Sequence, residues 1–154
     1  MDTIAHAVFT FIVFHRVEWV WAAVIFGIFP DIIGNGPIML ESLITKGKLL
    51  TRRTAKTRFA KFWNPVYNVT HSLPFPILIC VGLSVFYGVF YWPILAWFAH
   101  VIIDIPLHND KDGNAVPFLW PLSDYKIQGV AWWKPRVTIA LWAVIAVLGM
   151  FSFF

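Results

Sequence analysis

A chain of 154 residues that is 59% hydrophobic and only 13% charged, with a mean hydropathy of +0.71, is far more apolar than a water-soluble domain of its size, which would need a polar shell. Its net charge of +4 does not point to nucleic acid, because the basic residues cluster between apolar segments, where anionic lipid is the nearer partner. The lone Cys80 excludes a disulfide within the chain and leaves the redox compartment open.

The expectation is an all-α, polytopic membrane bundle of about five apolar segments, forming a single integral membrane domain over residues 1–154. Asp2 stands where a basic signal-peptide region would be, and no small-residue cleavage site precedes Trp19, so the first segment is expected to remain in the protein. That segment, Thr3–Phe14, has about half of the roughly 20 residues a full span needs, and is expected to be short, tilted or re-entrant. A second apolar run covers residues 19–33 and ends at Gly34, Asn35, Gly36 and Pro37, which are poor helix formers. The two segments should form a hairpin.

Residues 38–63 mix Ile38, Leu40, Leu43 and Ile44 with Lys46, Lys48, Arg52, Arg53, Lys56, Arg58 and Lys61, the pattern of a basic amphipathic stretch on a membrane surface. Ser72, Pro74 and Pro76 open a third span that reaches to about Phe90, and Pro93 opens a fourth. A polar loop over residues 109–136 leads to a final span over residues 137–154. Within that loop Asp110, Asp112 and Asn114 share part of a calcium-loop spacing, but the glycine is misplaced and the terminal glutamate absent, so the segment reads as a turn.

Eleven of the twelve Lys and Arg residues lie in segments 46–61 and 109–136, and only Arg16 lies between the first two spans. The positive-inside rule then places both basic loops in the cytoplasm, with the N-terminus inside and the C-terminus outside an inner (plasma) membrane. In this topology His6, Asp31, His71, His100 and Asp104 all fall at the cytoplasmic leaflet. At about 1.5 Å per residue, Asp104 and His100 lie roughly 6 and 12 Å from the inner end of their helix near His108.

The motif "HVIIDIPLH" carries the chemistry. Residues four apart share a helix face, so His100 and Asp104 can present an imidazole and a carboxylate to one ion. His108 would continue that face, although Pro106 disfavours helix just before it. A carboxylate in hydrocarbon is costly unless it is paired or binds metal. Each residue also has a structural reading: His6 as a core histidine bonded to a carbonyl, Asp31 as the cap of a turn, His71 as an interfacial residue, and His100 with Asp104 as a hydrogen-bonded pair. His15 reads as an outer-loop residue.

The segments "MDTIAHAVFT", "GIFPDIIG", "NVTHSLP", "HVIIDIPLH" and "PFLWPLSD" together resemble the predicted membrane-bound metal-dependent hydrolases, a family of small inner-membrane proteins, over most of the chain from His6 to Asp124. More distantly, the order His, Asp, His, His-x-x-x-Asp is similar to secreted zinc-dependent phospholipase C and single-strand nucleases. That similarity implies phosphoester hydrolysis. The chain lacks their downstream His-x-x-x-Glu and processed amino-terminal tryptophan, so it does not carry over a full three-metal centre.

Residue reading and resemblance lead to one expectation, in which His6, Asp31, His71, His100 and Asp104 hold one or two divalent ions. Zinc is the expected metal for mixed imidazole and carboxylate ligands. Asp124 and His108 are the candidate catalytic groups, with Asp124 as base or outer partner. A site at this depth suits a phospholipid or another phosphoester, with Arg52, Arg53, Lys56 and Arg58 available to anionic headgroups and Phe59, Phe62 and Trp63 as anchors. Those basic residues could equally serve topology alone. The alternatives are a divalent-metal transporter, which needs ligands through both leaflets, and a non-catalytic structural membrane protein.

Overall fold

The computed structural model describes residues 1–47, 58–110 and 115–153. Among them all regular secondary structure is helical, without strands: α1 (Thr3–Phe14), α2 (Val20–Gly34), α3 (Gly36–Lys46), α4 (Arg58–Thr70), α5 (Pro74–Tyr87), α6 (Leu95–Asp104) and α7 (Pro135–Phe153), with single 3-10 turns at Trp92–Ile94 and Ile105–Leu107.

Local sequence accounts for the helix limits that matter here. The Asp2 carboxylate caps α1 by accepting from the Ala5 amide at 2.8 Å. Pro74 starts α5, where its missing N–H is no loss. Pro106 lies in the 3-10 turn that replaces the last α-helical turn after Asp104, as its steric effect on Ile105 requires.

The five-segment reading is only partly borne out. Among the described residues one helix, α7, is long and apolar enough to cross a membrane, and almost none of it is buried. Two further spans exist only if bent pairs are counted as one each: α2 with α3, bent by 46°, and the 61–70 part of α4 with α5, bent by 58°. The α1 helix and the stretch Trp92–Leu107 are apolar but shorter. The Gly34 to Pro37 signal breaks the helix at Asn35 alone, because Pro37 falls in the first turn of α3, where proline is accommodated. The expected surface stretch over residues 38–63 is therefore helical where it is described, as α3 and the start of α4. Lys48, Arg52, Arg53, Lys56, Asp112 and Asn114 lie outside the described residues, as do the side chains of Arg58 and Phe59.

Helix α2 is the hub, packing against α1, α4 and α6, while α1 also packs on α7. One apolar core gathers Met1, Ala5, Ile12, Leu107 and Ile145; a second gathers Cys80, Ile94, Trp97, Val101 and Val116. Large apolar side chains face outward along α5 and α7, among them Val85, Phe86, Ile139, Val144 and Phe151. Apolar exposure on that scale suits lipid rather than water.

Candidate metal centre

His6, Asp31, His71, His100 and Asp104 converge, as do the helices that carry them: the first turns of α1, the end of α2, the α4–α5 bend and the end of α6. One ligand atom from each of Asp31, His71, His100 and Asp104 lies within 4.8 Å of the other three. His100 Nε2 is 3.4 Å from Asp104 Oδ2 and 4.0 Å from Asp31 Oδ1, and His71 Nε2 is 3.8 Å from Asp31 Oδ1. Charge-assisted hydrogen bonds are near 2.7–2.9 Å, so these ion-pair separations are longer than well-formed hydrogen bonds. They approach the spacing around a shared cation: four ligands about 2.0–2.1 Å from zinc stand roughly 3.3 Å apart.

Each donor is turned inward by a contact on its far side. His100 Nδ1–H donates to the Gly27 carbonyl at 2.7 Å, which leaves the Nε2 lone pair directed at the carboxylates. His100 Nε2 is buried and has no hydrogen-bond partner among the described residues. His71 Nδ1–H faces the Tyr67 carbonyl at 3.2 Å and Thr70 Oγ1 at 3.1 Å, so its Nε2 is likewise an acceptor aimed at Asp31. The Tyr67 ring stacks on His71 with centroids 3.9 Å apart. Asp31 Oδ2 accepts from Thr3 Oγ1 at 2.9 Å, and Asp104 Oδ1 accepts from His6 Nε2 at 3.0 Å and from the Met1 α-amino group. Outer contacts of this kind set the tautomer and orientation of metal ligands.

With both imidazoles neutral, the two carboxylates and the two Nε2 lone pairs that face one another are all acceptors. Buried at this range they repel, and a divalent cation matches their formal charge of −2. The donor set thus fits a divalent metal ion.

Close helix packing makes the geometry possible. A Cβ on Gly34 would come within 2.7 Å of Thr70 Oγ1 and 3.1 Å of His71 Cε1, and one on Gly27 within 2.4 Å of Thr10 Oγ1. Both glycines let α2 approach its neighbours closely enough for Asp31 and the Gly27 carbonyl to reach the centre. No family model, curated protein or solved structure matches the chain.

The remaining candidates fall in different places. His6 lies outside the four-atom group, hydrogen-bonded to Asp104 and stacked on His100 with ring centroids 3.7 Å apart. His108 Nδ1–H donates to the Asp104 carbonyl at 2.9 Å and lies 3.9 Å from Asp104 Oδ1. Burial holds the His108 imidazole below its usual pKa, against the opposing pull of Asp104. Asp124 is exposed, and no hydrogen bond or ion pair among the described residues joins it to the cluster. His15 sits at the far end of α1 against Phe153 and Ser152. Thr3, Gly27, Tyr67 and Thr70 are participants that residue type did not single out. Thr3 had one available signal, its position three residues before His6 on the same helix face.

Proposed function

We propose that this chain is a membrane-embedded metal-dependent hydrolase acting on a phospholipid or another phosphoester at the inner leaflet, with zinc as its metal. The observation that carries this reading is the buried His100 Nε2, whose lone pair has no hydrogen-bond partner among the described residues and completes a four-donor set with His71, Asp31 and Asp104. Mixed imidazole and carboxylate donors favour zinc among common divalent ions, and the resemblance of the quoted motifs to metal-dependent membrane hydrolases favours hydrolysis. Lys and Arg asymmetry supports a cytoplasmic N-terminus and an external C-terminus.

In this proposal Asp31, His71, His100 and Asp104 hold the ion, which supplies Lewis acidity toward a phosphoryl or ester oxygen. Thr3 and His6 secure the outer oxygens of the two carboxylates, so that the inner oxygens keep their aim. His108 takes the proton-accepting role. Its Nδ1–H is committed to the Asp104 carbonyl, which leaves Nε2 as the nitrogen available to take a proton. Asp31 is the least buried of the four donors, and Ile32 and Ile33 beside it on α2 are exposed. Approach past Asp31 along an apolar surface suits a bilayer lipid better than a soluble polymer.

The test is elemental analysis of detergent-purified protein, followed by turnover of phosphodiester and phospholipid before and after chelation. Stoichiometric zinc with turnover lost on chelation and restored by zinc is expected. Stably folded protein that binds no divalent ion refutes the centre, and bound metal without turnover on either substrate refutes the hydrolase.

A further inference from the structure

Residues 115–134 contain no helix, yet they are fastened at both ends to the segments that bear the candidate ligands. At one end the Leu73 amide, two residues after His71, donates to the Phe118 carbonyl at 2.8 Å, and the Trp120 ring stacks on Phe75 at 5.8 Å. At the other end Gly129 donates to the His108 carbonyl at 2.8 Å, Val130 to Pro106 at 2.8 Å and Trp132 to Leu107 at 3.1 Å. These backbones are in close contact: a Cβ on Gly129 would lie 2.2 Å from the Pro106 carbonyl oxygen. The segment is a fixed strap across the side of the molecule where His71, Asp104 and His108 reside.

What the strap displays does not suit water. Leu122 is 81% exposed, Tyr125 63%, Val130 54% and Ile127 40%. The backbone hydrogen bonds hold the segment in place, and among the described residues nothing covers these side chains. Charge between residues 115 and 136 is predominantly positive, with Lys126, Lys134 and Arg136 against Asp124 alone. Lys134 and Arg136 are exposed, and Lys126 is 3.3 Å from Asp110. The strap runs directly into Pro135 at the start of α7, the helix apolar enough to span a bilayer. Backbone outside a helix cannot enter hydrocarbon, where its amides and carbonyls would lose water, but the hydrated headgroup layer accepts it. Apolar and aromatic side chains interleaved with cations match the chemistry of that layer when it carries anionic lipid.

We infer that residues 118–136, the strap together with the exposed Lys134 and Arg136 at its junction with α7, form an interfacial anchor seated in the headgroup layer of an anionic leaflet beside the candidate metal centre. This rests on the membrane part of the proposed function and is independent of its metal part. Seating the strap there places the centre within reach of a headgroup while the lipid's tails remain in the bilayer.

The test uses Leu122→Cys and, separately, Tyr125→Cys in the full chain with Cys80→Ala, each carrying a nitroxide spin label. The proteins are reconstituted into vesicles of phosphatidylcholine alone or with phosphatidylglycerol. Relaxation by oxygen, which concentrates in the bilayer, is compared with relaxation by a water-soluble nickel chelate. Oxygen access exceeding nickel access at both positions, more strongly with phosphatidylglycerol present, is the expected result. Nickel access dominating at both positions in both vesicles overturns the anchor. Equal immersion in the two vesicles overturns the assignment to anionic lipid. Zinc content of the same labelled samples separates this outcome from a failure of the metal centre.

Discussion

Replacing Thr3 by valine removes one hydroxyl while keeping the branched shape, and so isolates the contact that orients Asp31. The Thr3 Oγ1 hydrogen donates to Asp31 Oδ2 at 2.9 Å, while Oδ1 of the same carboxylate faces His71 and His100. A hydrogen bond to a charged group contributes about 1.5–3 kcal/mol. Thr3 is only half-buried, so water can replace part of the lost contact and the lower end applies. At about 1.4 kcal/mol per factor of ten, zinc affinity should fall roughly tenfold. That agrees with the roughly 10–100-fold cost of losing an outer partner of a metal ligand. The assay is competition with a chromophoric chelator on detergent-purified protein. Thr3→Ser, which restores the hydroxyl, should recover most of the affinity and most of the stability that the metal-free valine variant loses on thermal unfolding. Wild-type affinity in the valine variant, or equal loss in valine and serine variants, would refute the orienting role.

Four other outcomes are expected. Asp104→Asn keeps an oxygen for His6 but loses the charge facing His100, so bound zinc and turnover should fall further than for Thr3→Val while the helical fold, followed by circular dichroism, survives; equal metal and turnover in both proteins would exclude Asp104 as a ligand. Gly34→Ala pushes a methyl group against Thr70 and His71, and should destabilise by about 1–3 kcal/mol and weaken zinc binding together, as read by thermal unfolding with and without metal. Gly129→Ala meets backbone rather than a movable side chain, so its cost should reach the top of that range, about 3 kcal/mol, with new protease cleavage within residues 115–134. Single cysteines at Lys126 and Trp92, with Cys80→Ala, should react with impermeant reagent from opposite faces, Lys126 from the cytoplasmic one; labelling from one face contradicts the proposed topology.

Helical periodicity made part of the candidate site legible from the residues alone. His100 and Asp104, four apart in an apolar segment, had to share a face, and an apolar run ending near Gly34 had to carry Asp31 to a helix end. Their convergence with His6 and His71 was expected from the Lys and Arg asymmetry, because alternating spans oriented by that rule return these helix ends to one side. Counting spans was less successful. Apolar length can be counted from a sequence, but a proline or glycine break leaves open whether the chain bends within one span or turns back, and the angles at the two breaks, 46° and 58°, are read only from the folded chain. The finer division of the site was likewise a tertiary matter. Residue types marked His6 and His71 alike as potential ligands; the contacts direct the His71 lone pair to Asp31 and commit His6 Nε2 to Asp104. Thr3, the Gly27 carbonyl and Thr70 carry no metal-binding signature, and they act only because α1, α2 and α4 approach closely enough to bring a hydroxyl or carbonyl to the far side of a ligand. Sequence determined which chemistry was available and on which helix faces, because those follow from local covalent geometry. Only the packed structure decided which atom of each side chain faces the centre, because that depends on partners 28 and 73 residues away along the chain.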